Sequence, residues 1–345
     1  MSKITFGLIA AAGAATGAVA TAAFYSSRKD AAIPNIPTTA TSTSPTSAPT
    51  STSPFPPAPR SQPPPLTTST SAPVNPTGLF QYGFPGPICD LRPAPSLASA
   101  YDRRTRNPAW VAEHITPASL AANHADRRNS VFVEDLSIPE KFRGKLKDYA
   151  RSGYDRGHQV PAADAKWSQE AMDATFALSN MCPQVGEGFN RDYWAHFEDF
   201  CRRLTTTYPS VRIVTGPLYL PRRDPVDNKW RVSYEVIGSP PNIAVPTHFY
   251  KVVLAEDGRA GGSVAVGAFV LPNAPIANAK PLADFEVPVE AVERASGLEF
   301  ASLLPAERRK RLCQEVHCSI IVKEYADRQK SVKGTNPRKG LPAPS

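Results

Sequence analysis

Apolar and polar positions along the chain change their period several times, and each change marks an element. Runs rich in β-branched and aromatic residues predict strands over Ser130–Leu136, Val211–Gly216, Trp230–Gly238, Thr247–Ala255 and Gly262–Leu271, with Gly, Pro and Asn at their ends. A helical period is clearest in RDYWAHFEDFCRRLTTTY after Asn190, where Trp194, Phe197, Cys201 and Leu204 recur at steps of three and four. A second helix is expected over Ser168–Leu178 with Ser168 as its cap, and a third over PVEAVERASGLEFASLL, broken near Gly297. Strands and helices come in clusters and without strict alternation. The expected fold class is therefore α+β, a mixed domain around an antiparallel sheet.

The N-terminal 77 residues follow neither period. Ile4–Phe24 carries no charge and has the length of a membrane-crossing helix, flanked by Lys3 and by Arg28 and Lys29. It is read as an uncleaved anchor or anchor-like leader, in preference to a secretory signal cleaved near AVATAA or an ordinary transit peptide, which would be richer in Arg and Ser. Between Ala31 and Pro76 fall 13 of the 37 prolines, among Ser, Thr and Ala, with Arg60 as the one charged residue. Such a segment cannot bury enough apolar surface to offset the entropy of ordering it, so a disordered, partly polyproline linker is expected. The chain then divides into an apolar anchor or targeting segment (1–30), a linker (31–77), a folded domain (78–327) and a basic flexible tail (328–345).

The net charge of +8 invites an anionic partner, but its location weakens the inference. Four bases against one acid precede Thr77 and six against two follow Val322, which leaves the body between them nearly neutral. An anion must be held by local arginine clusters, such as Asp102–Arg106, Arg127-Arg128, Arg202-Arg203 or Arg222-Arg223. There is no zinc finger, no basic region running into heptads and no aromatic RNA-binding motif, so recognition would fall on the phosphate backbone. Five cysteines do not make a disulfide framework. CQEVHC (Cys313–Cys318) lacks a second ligand pair at zinc spacing and is read as a structural or incidental thiol pair.

Candidate chemistry gathers in three stretches. SGYDRGHQVPAAD places His158 behind Asp155, Arg156 and Gly157, a poor recipe for a buried strand or a helix interior, and reads as a loop. LSNMCPQ carries Asn180 after an apolar helix end. In FNRDYWAHFED, Asn190 opens a helix and Glu198, eight residues on, returns to within about 80° of the same face. An amide oxygen and a carboxylate could there face one hydrated ion. Each residue alone also has an ordinary role: Asn190 as a cap, Glu198 as a solvated charge, Trp194 as core.

In this order, DRGH, LSN-x-x-PQ and N-x-x-x-W-x-x-x-E resemble the DNA/RNA nonspecific endonucleases with a ββα-metal (His-Me finger) site, most of all the mitochondrial endonuclease G family and its fungal members. The resemblance runs from about Ala100 to Asp327 and includes VTGPLYLP, VPTHFYKVVL and VPVEAVERASGLEF. It implies that His158 is the general base and Asn190 the one direct protein ligand of a Mg²⁺ ion, for which Mn²⁺ can substitute. It further implies that Glu198 orients the ion's water shell, that Arg156 belongs to the catalytic motif and that Asn180 supports the site. Arg128 matches an upstream phosphate-contacting arginine, with Arg127 as the alternative.

The chemistry needs these types. Activating water takes a base near neutral pKa, and a hard hydrated cation with an arginine clamp offsets charge growing on the phosphate. The resemblance implies DNA and RNA as substrates, 5′-phosphate ends, a homodimer, and tethering through the N-terminal segment at the mitochondrial inner membrane or in the intermembrane space, with relocation to the nucleus. A catalytically inactive nucleic-acid-binding protein of the same fold is the alternative, and a membrane-tethered structural protein is a third reading. One departure from the family pattern is Cys182 before Pro183, from which sensitivity to thiol reagents is expected.

Overall fold

The computed structural model describes residues 89–322. The expected anchor, linker and basic tail lie outside the described residues, as do the outermost positions of the expected domain. Among the described residues the architecture is α+β, as the clustering of elements predicts.

Three strands, β1 (Cys89–Ala94), β2 (Leu97–Asp102) and β3 (Asn107–Ile115), form an antiparallel meander. A separate antiparallel pair follows, β4 (Tyr154–His158) and β5 (Met181–Val185), with helix α1 (Gln169–Ala174) between them in sequence. Then come helix α2 (Tyr193–Arg203) and strands β6 (Ser210–Leu218), β7 (His248–Glu256) and β8 (Val264–Pro272). Short β9 (Glu286–Val287), helix α3 (Val289–Ser296) and β10 (Arg309–Arg311) close the fold. The main sheet has the order β1-β2-β3-β6-β7-β8-β9, with β10 pairing parallel to β8.

Alternation along β7 assigns the two faces of this sheet. Phe249 and Val253 enter the large core with Trp194, Phe197 and Phe200 of α2, whereas Tyr250 and Val252 meet Ala268, Val292 and Phe300 on the opposite face under α3. Each large side chain so buried is worth about 2–3 kcal/mol by area. This packing, rather than helix propensity, holds α2 in place. The helix ends through a 3-10 turn at Leu204–Thr206, with Arg202 and Arg203 in its last turn, where cations suit the dipole.

Several sequence expectations need correction. Ser130–Leu136 is extended but is not a strand: its single bridge joins Val133 to Ala177, and Val131 and Leu136 are exposed. No neighbouring strand offers a ladder, and the alternation there serves to turn Phe132 inward onto Phe176. Trp230–Gly238 contains only the two-residue pieces Trp230–Arg231 and Val236–Ile237. Strands β1 to β3 go unmarked by β-branched content because they are built from sequences such as LASAYD. The DRGH stretch, read as a loop, is strand β4. The cap at Ser168 is as expected, its side chain accepting from the Ala171 amide at 3.0 Å, and α3 stops at Gly297, whose φ of 74° is left-handed.

Candidate active site

Strand β4 carries the candidates Arg156 and His158, and β5 fixes it from one side. The register sets His158 opposite Met181, Gly157 opposite Cys182, Arg156 opposite Pro183 and Asp155 opposite Gln184. Gly157 is required by this contact, since a Cβ there would lie 1.9 Å from Gln184 Oε1. Past β5 the chain turns tightly over Gly186–Asn190 into α2, with Gly188 at φ 76° pressed against Pro275. Two strands and the helix thus form one ββα unit. Asn190 does not open the helix, as its sequence position suggests. It ends the turn, and Asp192 is the helix N-cap.

The Asn190 amide is oriented. Its Nδ2 donates to Asp155 Oδ2 at 2.9 Å, while Arg191 holds the same carboxylate through Nε at 2.8 Å and Nη2 at 2.6 Å. Burial works the other way, yet Arg191 and Asn190 together hold the Asp155 carboxyl below the usual range. With its nitrogen committed, Asn190 offers only its oxygen outward, a neutral hard donor. That donor fits Mg²⁺, which keeps most of its water and takes few protein ligands. Among the described residues no group of three or more His, Cys, Asp or Glu could hold a metal, so an ion here would be held through this amide oxygen, water and substrate.

His158 ends β4, three residues and about 10 Å of strand from Asp155. Its ring lies between Phe176, edge-on at 4.8 Å, and Phe132 at 5.6 Å. Each of these rings carries an arginine: Arg127 lies 5.3 Å from the Phe176 centroid and Arg156 lies 4.3 Å from that of Phe132. Nε2 of His158 is buried without a partner, which leaves Nδ1 as the nitrogen open to the site. Burial first, then Arg127 and Arg156, push the imidazole down to about 3, so the ring is neutral and its lone pair available. An anion drawn between the two arginines would relieve that cationic push and raise the basicity of the ring.

Asn180 lies beneath the site and is buried. Its Oδ1 accepts from Val160 N at 3.0 Å, its Nδ2 donates to Val160 O at 3.0 Å and Thr175 O at 2.8 Å, and its carbonyl accepts from Gln159 N at 3.0 Å. It clamps the chain that leaves His158. Arg128 and Arg127 are placed differently. Its guanidinium is exposed and held on Asp126, with Nε 2.9 Å from Oδ2, whereas Arg127 is the arginine that the turn aims at His158.

Glu198 stands on α2, its carboxyl pushed up to about 7 by burial and by Asp164, against the opposing pull of Lys251, Arg202 and Arg127. Behind it Arg202 binds Asp164 at 2.9 Å, and Glu113 of β3 is buried, with its carboxyl held well above the ordinary range by burial and then by Asp164. The sequence reading missed Asp155 as the orienter of Asn190, the two phenylalanine walls, and this charged layer. An acid preceding an arginine in DRGH was the one available signal. Cys182, expected to confer thiol sensitivity, is buried in the core with its thiol pushed well up by burial, which removes the reactive thiolate. Cys313 and Cys318 form a disulfide.

Residues 75–307 match the family of DNA/RNA non-specific endonucleases. The chain is similar to the mitochondrial nuclease of Saccharomyces cerevisiae, 62% identical over 274 residues, which cover 79% of this chain and 83% of the relative. It is 60% identical over 254 residues to nuclease 1, mitochondrial, of Schizosaccharomyces pombe, covering 73% of this chain and 79% of that one. Human endonuclease G, mitochondrial, is 46% identical over 222 residues, 64% of this chain and 72% of the relative. A solved complex of EndoG with EndoGI superposes with a TM-score of 0.62 at 44% identity, covering 70% of this chain and all of that one.

Proposed function

The chain belongs to the DNA/RNA non-specific endonuclease family, and from that premise we propose a Mg²⁺-dependent endonuclease acting on DNA and RNA alike, with His158 as general base and Asn190 as metal ligand. The observation that carries the reading is the setting of His158: a neutral imidazole at the end of β4, flanked by Arg127 and Arg156, with an oriented Asn190 amide tied to the same strand.

In this reading the two arginines draw a phosphodiester group against the His158 ring. Nδ1 takes a proton from water as the water oxygen attacks phosphorus, and the bond to the 3′ oxygen breaks, leaving a 5′-phosphate and, once that oxygen takes a proton from solvent water, a 3′-hydroxyl. A Mg²⁺ ion, or Mn²⁺ in its place, would supply positive charge where the leaving oxygen grows negative. Glu198 accepts hydrogen bonds from water at the site once its carboxyl is ionised. Arg128 can swing from Asp126 to a phosphate farther along the strand. Phosphate contacts position a nucleic acid without specifying its sequence or sugar, which supports action on both DNA and RNA.

The names of its mitochondrial relatives support a mitochondrial location; residues 1–76 as address and tether at the inner membrane, and a homodimer, belong to the same proposal. Purified protein incubated with supercoiled plasmid tests the reading. Nicking should require Mg²⁺, stop with EDTA, and fall by about 10²–10⁴-fold in His158→Ala while plasmid binding persists. Undiminished cleavage by that variant would remove His158 from the mechanism, and binding without any cleavage by the wild type would favour an inactive nucleic-acid binder.

A further inference from the structure

We propose that Lys251 is a positioning residue of this site, a buried cation that locks the strand bearing His158 to the helix bearing Glu198; the inference rests on the nuclease reading above. Lys251 lies mid-way along β7 and is 0% exposed, which is rare for a lysine. Alternation places it on the same face of the sheet as Phe249 and Val253, beneath α2. Its Nζ donates to Thr215 Oγ1 at 2.8 Å, from the residue opposite it on β6, and to Gln159 O at 3.4 Å. It also lies 4.9 Å from the Trp194 ring centroid.

These contacts join three parts of the site. Gln159 directly follows His158, and Trp194 is one helical turn before Glu198 on α2. One ammonium thus touches the end of the base strand, the platform under the helix, and the sheet that supports both. Its hydrogen-bond partners are neutral oxygens, so its charge is not spent on a direct ion pair. The field of Lys251 instead reaches Glu198 and Glu113, favouring the ionised form of each. The other charges facing Glu198 are Arg202, the Asp164 carboxylate that engages it, and Arg127. Lys251 is therefore a buried cation under the turn of α2 that carries Glu198, fixed to Gln159 on one side and to Trp194 on the other, and through them it sets the spacing of His158 and Glu198 about a metal at Asn190.

Two variants test this. Lys251→Met keeps the packing on Trp194 and removes both hydrogen bonds and the charge. Thr215→Val keeps the shape and removes only the hydroxyl anchor, so the fold is retained and the charge remains. Mn²⁺ binding to the protein without nucleic acid is read by electron paramagnetic resonance, alongside kcat and KM for plasmid. Lys251→Met should weaken Mn²⁺ binding and lower kcat, each by about tenfold, the scale of a lost outer partner of a metal site, with KM nearly unchanged. Thr215→Val should move both in the same direction by about threefold. A purely structural lysine would lower the melting temperature and leave Mn²⁺ affinity alone, and that result in either folded variant overturns the proposal. Should Lys251→Met fail to fold, Thr215→Val decides alone. Failure of the nuclease reading itself would be seen separately, as a wild type that binds Mn²⁺ and cleaves nothing.

Discussion

Asp155 accepts the Asn190 amide nitrogen at 2.9 Å, and this one bond decides which end of the amide the site receives. A nitrogen turned outward would repel a cation, whereas an oxygen turned outward binds it. Asp155→Ala should release the amide to rotate and leave Arg191 without its bidentate partner. The expected outcome is a loss of cleavage of about 10–100-fold, largely recovered at high Mg²⁺, because the ligand is still present but no longer held. A Mg²⁺ titration of plasmid nicking checks this. An unshifted half-saturation point would mean that Asp155 does not orient the ligand.

Arg127 and Arg128 are adjacent in sequence yet differently employed. Arg127 lies over Phe176 beside His158, and Arg128 is bound to Asp126 in the solvent. Loss of a guanidinium at the reacting phosphate removes charge stabilisation that exists only as the transition state forms, and so acts on kcat. Loss of an outer contact weakens binding and is screened by salt. Arg127→Ala should therefore lower kcat by about 10²-fold. Arg128→Ala should chiefly raise KM, with a smaller effect at high ionic strength. Steady-state kinetics at two salt concentrations separates the two, and a reversed pattern would return the catalytic position to Arg128.

Much of this site is legible in the sequence because its members lie close along the chain. His158, Asn180, Asn190 and Glu198 fall within 41 residues and are assembled by one strand pair and one helix. The apolar period after Asn190 locates α2 because Trp194, Phe197, Cys201 and Leu204 all face one core. What escaped the sequence depends on distant partners. Lys251 reads as one polar position in HFYKVVLAE, and only the pairing with β6 and the packing of α2 reveal that it is buried. Phe132 comes from a stretch whose alternation resembles a strand, although no strand lies beside it. DRGH fails the usual tests for a strand because its small Gly157 is dictated by Gln184 across the pair, a requirement invisible without the register.

The thiols give a prediction opposite in sign to that drawn from sequence. Cys182 and Cys201 are buried and Cys89 is partly exposed, while Cys313 and Cys318 are joined. Burial also raises the Cys201 thiol to about 12, so neither buried cysteine supplies thiolate at neutral pH. Iodoacetamide applied to the native protein should label Cys89 ahead of the two buried thiols and leave nuclease activity intact. Peptide mass analysis alongside the plasmid assay reads both results. Inactivation that tracks Cys182 labelling would show that the core opens there on the timescale of the reaction.

Glu198 and His158 respond to pH in opposite directions. The His158 imidazole is depressed from 6.5 to about 3, so the unfolded chain takes up a proton in that window and the folded one does not. Its contribution to stability is whole above 6.5 and is lost as pH falls toward 3. The Glu198 carboxyl is raised from 4.5 to about 7, so its contribution is whole below 4.5 and is lost as pH rises through 7. Between 4.5 and 6.5 the two slopes oppose each other. Below 4.5 the His158 slope acts alone, at most about 1.4 kcal/mol per pH unit. Activity follows a different rule, since it needs a neutral His158 and an ionised Glu198. His158 meets its condition at every pH above about 3, so the acid limb of kcat/KM belongs to Glu198 and should lie near 7. Glu198→Gln should lower the rate and flatten that limb, because its amide accepts hydrogen bonds without titrating. Measuring kcat/KM from about pH 5 to 9 for both proteins decides the matter: an acid limb that survives in Glu198→Gln would have to be reassigned to another group, with His158 as the first candidate.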